Sequence, residues 1–318
     1  MREAEKQTFS YAVKSEAARS VTGRKRSDAC LLAFLLVADL ASRDRIEFLA
    51  DNDVTKDMFS RLVCHASENP DAVSMQVIHS RGRSPRYLMR VCSYNDICSV
   101  CSRLGIESFE RMQLAGKADS LTEKYFGAFV TGLFLSCGGI SSPKKEYHLQ
   151  FALPDDKLSE WFAGVMEERM GISLKSTCRQ SQRILYIKGS EGIEDILTLM
   201  GAQMSSLEVM NVKVFKDIRN RANRATNCDT ANAERQNLSS SRQIMAIREI
   251  EASQGGLSQL PDELIEIAKM RLRFPEYSLS ELSEEFDPPI SKSGVNHRLA
   301  RIVQIANELR VQKQKPGE

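Results

Sequence analysis

The sequence predicts two domains, an α+β N-terminal domain built from two copies of one unit about a pseudo-twofold axis and an all-α C-terminal domain. Three observations carry that prediction. One order of elements occurs twice, about one hundred residues apart; each copy opens with a helix that is apolar on more than one side; and the C-terminal third breaks into short amphipathic helices punctuated by Gly255-Gly256, Pro275 and Pro288-Pro289. A repeated order of elements is a firmer guide than any single boundary.

The first copy reads as an apolar helix from Ala29 to Leu40, a strand from Arg45 to Leu49 and a helix from Val54 to Ala66. Strands from Ser74 to His79 and Pro85 to Cys92 follow, then a helix from Asn95 to Leu104. The second copy repeats that order: helix Lys124 to Cys137, strand Glu146 to Leu153, helix Asp155 to Met170, strands Ile172 to Cys178 and Arg183 to Lys188, helix Glu191 to Met200. Alternation such as Tyr147, Leu149 and Phe151 against His148, Gln150 and Ala152 marks the strands. The all-round apolar helices, Leu31 to Ala38 and Phe129 to Ser136, must be buried, and packing one on the other forms the seam of the domain. Ala33 and Gly132 permit a close approach there.

These readings set domain limits at 1–210, with repeats at about 29–105 and 122–201, a basic Asn-rich linker at 211–238, and a helical domain at 239–318. The segment from Val209 to Gln236 lacks a strong apolar stripe and reads as a partly helical connection. Beyond it, Arg242 to Ser253 forms an amphipathic helix, Pro261 opens a helix running from Asp262 to Phe274, and Pro275 stops that helix.

Composition removes several classes of function. A chain of 318 residues, 42% hydrophobic and 27% charged, can bury a core without staples, and no apolar run reaches membrane-spanning length. The mixed charges of Met1 to Lys6 do not form a secretory signal, so a cytoplasmic, nucleoid-associated location is expected. The eight cysteines are expected to be buried thiols rather than a disulfide framework. A net charge of +2 says little by itself, but positions 213–224 hold five cations against Asp217 alone, a net +4. Positions 292–315 hold six against Glu308, a net +5, and acidic residues cluster between the two stretches. A polarised third of this kind suits a module with one polyanion-binding face.

Ser278 and Glu281 form a capping box, after which Leu279, Leu282 and Phe286 define a short helix broken by Asp287-Pro288-Pro289. Ser291 then caps a second helix whose Val295, Leu299, Ile302, Ala306 and Leu309 form one apolar arc. The opposite arc carries Ser293, His297, Arg301 and Gln304, with Lys292 and Asn296 at its edge. That is a helix-turn-helix, whose second helix enters the major groove by its N-terminal residues. Asn296 suits an adenine, Arg301 a guanine or phosphate, and Ser291, Lys292, Ser293, His297, Arg298 and Gln304 complete the candidate contacts. A helical hairpin with a solvated face is the alternative. Arg219, Arg221 and Arg224 are candidate phosphate contacts or part of an interdomain strut.

Pro289 to Leu299, PISKSGVNHRL, resembles the signature of the WhiA family of sporulation and cell-division regulators. Three further blocks are similar to the same family: Thr8-Phe9-Ser10 with Val13-Lys14, Gly132 to Gly139 running on to Tyr147-His148-Leu149, and Arg219 to Arg224 with Asn227 to Asn232. The resemblance implies a LAGLIDADG homing-endonuclease fold followed by a helix-turn-helix like that of sigma factors. It implies a transcription regulator that binds double-stranded DNA, with another transcription factor or a division protein as partner, as with an iron–sulfur WhiB-type protein in actinobacterial relatives.

Active nucleases of that fold place an acidic residue at the foot of each central helix, because paired carboxylates hold the divalent metals. In the second motif, Val130 to Gly138, that position is Cys137, a poor Mg²⁺ ligand; in the first, Leu32 to Leu40, it is Asp39, expected at a helix end. One carboxylate does not build the pair, so no catalytic, metal or cofactor site is expected. Cys98 and Cys101, with Cys92 upstream, lack a second ligand pair at zinc-finger spacing and read as buried thiols one turn apart. The competing functions are a residual nuclease resting on Asp39 and a protein-interaction scaffold of the division machinery.

Overall fold

In the computed structural model, residues 8–42, 45–79, 84–179 and 182–314 are described. The first copy consists of α1 (Phe9–Ser20), α2 (Arg24–Val37), β1 (Asp39–Ser42), β2 (Arg45–Ala50), α3 (Asp53–Ser67), β3 (Ser74–Ile78), β4 (Arg86–Val91) and α4 (Tyr94–Leu104). The second consists of α5 (Arg111–Thr122), α6 (Phe126–Cys137), β5 (Gly138–Ile140), β6 (Leu149–Leu153), α7 (Asp156–Met170), β7 (Lys175–Arg179), β8 (Gln182–Ile187) and α8 (Ser190–Leu199). Each copy makes one antiparallel four-stranded sheet, ordered β1-β2-β4-β3 and β5-β6-β8-β7. The remaining helices are α9 (Gln203–Glu251), α10 (Asp262–Arg273), α11 (Leu279–Glu284) and α12 (Lys292–Gln314).

The all-round apolarity of the central helices has a direct structural reason. Ala29, Leu32, Ala33 and Leu36 of α2 enter one core, while Cys30, Leu31, Phe34 and Leu35 enter a second, so both sides of the helix are covered. α2 packs on α6, and Gly132 sets their separation. A Cβ at 132 would fall against the Cys30 carbonyl oxygen and 2.7 Å from the Ala33 Cβ, so only glycine fits.

The repeat is larger than the sequence pattern suggests. α1 packs on α3 and α6, and α5 packs on α7 and α2, so each copy begins with a helix that crosses to the central helix of the other. Two boundaries also differ from expectation. The first apolar helix ends at Val37 rather than Leu40: Ala38 is extended, its N–H closes on the Phe34 carbonyl, and Asp39 already pairs with Glu47 in the sheet. The linker and the expected helix from Arg242 to Ser253 are parts of one helix, because no glycine or proline occurs between Gln203 and Glu251 to end it.

The chain divides into two compact units, Met1–Lys216 and Asp217–Glu318. The second has its own core, in which Ala246, Ile247 and Ile250 of α9 meet Leu264, Ile267 and Ala268 of α10, Leu282 and Phe286, and Val295, Leu299, Ile302 and Ala306 of α12. Among the described residues, no helix is long and apolar enough to cross a membrane.

Candidate nucleic-acid interface

The helix-turn-helix is braced from behind by a buried cation. Arg271 of α10 is 2% exposed, and its Nη1 donates to the Tyr277 carbonyl at 2.6 Å and to those of Phe274 and Pro275 at 3.5 Å. Ser240 of α9 also donates to the Pro275 carbonyl, so the turn between α10 and α11 is held from two helices. The capping box then starts α11: Ser278 N–H donates to Glu281 at 2.6 Å and Glu281 N–H to the Ser278 hydroxyl at 3.2 Å. Those bonds hold the Glu281 carboxyl below the usual glutamate range. Ser291 closes the next turn, its hydroxyl accepting from Gly294 N–H at 3.1 Å and its carbonyl from Val295 N–H.

With Val295, Leu299, Ile302 and Ala306 buried, Ser291, Lys292, Ser293, Asn296, His297, Arg301 and Gln304 are all exposed on the other side of α12 or at its start. Arg298 differs. Its guanidinium pairs with Glu263 of α10 at 3.2 Å and lies 5.9 Å from the Phe286 ring, on the flank facing the unit's own helices. Arg301 donates to Gln304 at 2.8 Å, and Gln304 to Glu308 at 2.9 Å, which aligns the guanidinium along the helix. Arg219, Arg221 and Arg224 are exposed on α9. At about 100° per residue, Arg221 and Arg224 share a side and Arg219 points away from both.

The expectation of buried cysteines needs correction. Cys30 is buried, but Cys92, Cys98, Cys178 and Cys228 are exposed. On α4 the buried stripe is Ile97, Val100 and Leu104, which leaves Cys98 outside and Cys101 half-buried, its thiol pushed up to about 11 by burial. Among the described residues, no group of three or more His, Cys, Asp or Glu side chains is placed to hold a metal ion.

Superposing the two copies on their hydrogen bonds also corrects the position matched to Cys137. The N–H of Ala38 closes on Phe34 as that of Gly138 closes on Phe134, and Asp39 pairs with Glu47 as Gly139 pairs with Gln150. Cys137 therefore corresponds to Val37, and Asp39 to Gly139. Neither central helix ends in a carboxylate. The Cys137 thiol is pushed up to about 12 by burial and donates to the Leu133 carbonyl at 3.2 Å. Glu47, across from Asp39, is paired with Arg90 at 2.7 Å and Arg45 at 3.4 Å.

A duplicated α+β unit around a central helix pair, followed along the chain by a helix-turn-helix unit, defines a LAGLIDADG-like architecture with a helix-turn-helix module. The family models agree: residues 126–219 match the WhiA LAGLIDADG-like domain and residues 222–306 the WhiA C-terminal HTH domain. The chain is 31% identical over 318 aligned residues to the probable cell division protein WhiA of Clostridium acetobutylicum, covering 95% of this chain and 98% of that one. It belongs to the WhiA family. Against the probable cell division protein WhiA of Clostridium beijerinckii it is 41% identical, and there the match spans 58% of each chain. Full-length DUF199/WhiA from Thermatoga maritima shares the fold with a TM-score of 0.55 at 26% identity, covering 95% of this chain and 98% of that one.

Proposed function

We propose that this protein is a sequence-specific DNA-binding transcription regulator acting on cell-division or sporulation genes in the cytoplasm, at the nucleoid. The observation that carries this reading is α12: a helix braced by α10 and α11 presents Ser291, Lys292, Ser293, Asn296 and His297 at its first turns and Arg301 and Gln304 beyond, all solvent-exposed. Donor-rich side chains at the start of such a helix fit base edges and phosphates in a major groove. In this reading residues 239–318 read bases. The basic stretch 211–238, with Arg219, Arg221 and Arg224, and the domain at 1–210 add contacts to the DNA backbone or to a partner, another transcription factor or a division protein. Arg298 acts by holding α12 on α10 and contributes to the phosphate field from the flank.

Selection of bound fragments from random and genomic DNA by the full chain tests this, repeated with Asn296→Ala plus Arg301→Ala at two salt concentrations. A motif that disappears in the double variant while salt-sensitive background binding remains supports the assignment. The same motif selected by the variant overturns the recognition-helix assignment. The absence of any motif moves the function to a protein-interaction scaffold.

A further inference from the structure

The LAGLIDADG fold implies a pair of divalent metals at the feet of its two central helices, and the donor set found there does not fit them. Val37 is apolar, and Cys137 is a protonated, hydrogen-bonded thiol. Hard divalent ions such as Mg²⁺ take carboxylate, carbonyl and water oxygens and bind neither.

Something else occupies the electrostatic role. The last carbonyls of a helix have no partner within it and together carry roughly half a negative charge. At the foot of α6, the Leu135 carbonyl accepts from Lys14 Nζ of α1 at 3.0 Å and from the Thr55 hydroxyl at 3.0 Å. Lys14 is 7% exposed, and its ammonium also lies 5.9 Å from the Phe134 ring. At the foot of α2, Arg111, the first residue of α5, donates Nε to the Leu36 carbonyl at 3.2 Å and Nη2 to the Ala38 carbonyl at 3.3 Å. Its Nη1 is 3.7 Å from Asp155, the residue capping α7.

The two crossing helices are related by the duplication, since α1 crosses to α6 as α5 crosses to α2; within them Lys14 lies midway along α1 and Arg111 opens α5, so each cation reaches its foot from a different position. We propose that Lys14 and Arg111 are built-in replacements for the metal pair: each crossing helix delivers one basic side chain to the foot of the opposite central helix. A buried ammonium is costly unless it is paired: burial lowers the Lys14 pKa from its ordinary value, and the charge of Asp51 together with the Leu135 carbonyl offsets part of that cost. The N-terminal unit thus holds its central seam together without divalent ions, and its folding is indifferent to chelators.

The test uses the full chain, with thermal melts in Mn²⁺ and in EDTA and Mn²⁺ binding followed by electron paramagnetic resonance. The wild type is expected to bind no Mn²⁺ and to melt at one temperature in both buffers. Lys14→Met and Arg111→Met each melt lower, while Arg111→Lys keeps most of the stability. Lys14→Met combined with Cys137→Asp leaves a single carboxylate at the feet, too few to build the pair, and is expected to melt lower than the wild type and still bind no Mn²⁺. Mn²⁺ binding by the wild type that is lost in Asp39→Asn overturns the proposal, as do Lys14→Met and Arg111→Met variants that melt like the wild type. Should the double variant not fold, the wild-type titration and the Arg111 pair decide the matter alone.

Discussion

Adding one methyl group to each of two helical glycines should move stability in opposite directions. Gly164 lies exposed in α7 with nothing within 4 Å of where a Cβ would stand, and Gly132 lies in the α2–α6 seam. Both replacements gain the same helix propensity, about 1 kcal/mol. At Gly132, however, the new Cβ meets the Cys30 backbone carbonyl and comes within 2.7 Å of the Ala33 Cβ, both fixed in a buried helix, so the helices themselves must separate. Overpacking of that kind costs about 1–3 kcal/mol, and a backbone obstacle that cannot rotate aside places it near the upper end. Gly164→Ala should then gain about 1 kcal/mol and Gly132→Ala lose about 2 kcal/mol, a separation of about 3 kcal/mol. In a unit of this size each kcal/mol moves the midpoint by roughly 2–4 °C, so the variants should melt about 6–12 °C apart. The single tryptophan, Trp161, is on α7 with its ring 6.0 Å from Phe129 of α6, so its fluorescence reports this unit alone in the full chain. If Gly132→Ala melts at or above the wild type, the seam is not close-packed at that glycine and the reasoning fails.

Four further outcomes follow from the geometry. Arg271→Met leaves the carbonyl of Tyr277 without the Arg271 donor and should cost about 2 kcal/mol, seen as faster hydrogen exchange through residues 274–286 and, on the proposed function, weaker DNA binding. Ser278→Ala removes the cap of α11 and should cost about 1 kcal/mol, read by the same exchange experiment. Because the carboxyl of Glu281 is held below its unfolded value, its contribution is present above the ordinary glutamate range and lost as pH falls through the folded value; acidification should speed exchange in α11 of the wild type more than in Glu281→Gln. In native protein, a thiol reagent should modify Cys92, Cys98, Cys178 and Cys228 rapidly and reach Cys30 only on unfolding; fast labelling of Cys30 would contradict the packing of α2.

The duplicated order of helices and strands was legible because each element carries its own period. β2 and β6 alternate, α3, α4, α7 and α8 are amphipathic, and α2 and α6 are apolar all round because two cores share them. What stayed hidden lacked a local signal. Among their described residues α1 buries Val13, Lys14 and Ala17 and α5 buries Leu114, Ala115 and Ala118, and their place in the repeat depends on crossing to the other copy. β1 and β5 are short strands set directly after a helix, where apolar periodicity continues unbroken across the cap at Ala38 or Gly138. The middle of α9 is exposed and shows no apolar stripe, and its helicity rests on the lack of breakers between Gln203 and Glu251.

The same limits explain why the outward face of α12 was easier to read than the feet of the central helices. On α12 the buried arc of Val295, Leu299, Ile302 and Ala306 dictates which residues face outward, so Asn296, His297 and Arg301 follow from periodicity. Only the engagement of Arg298 with Glu263 needed the structure, since it depends on where α10 lies. At the feet, matching two degenerate apolar helices has no such anchor, because a shift of two residues leaves both stretches equally apolar. The register is fixed instead by pairing: Asp39 with Glu47 against Gly139 with Gln150 shows a spacing of 100 between the central helices and 103 between the strands that follow. That difference lies in the longer connection from β5 to β6, which moves the strand without moving the helix. Once Asp39 is placed on the sheet, the cations that finish the helices come from α1 and α5, the two elements with the weakest sequence signal, so the charge at the feet is visible only in three dimensions.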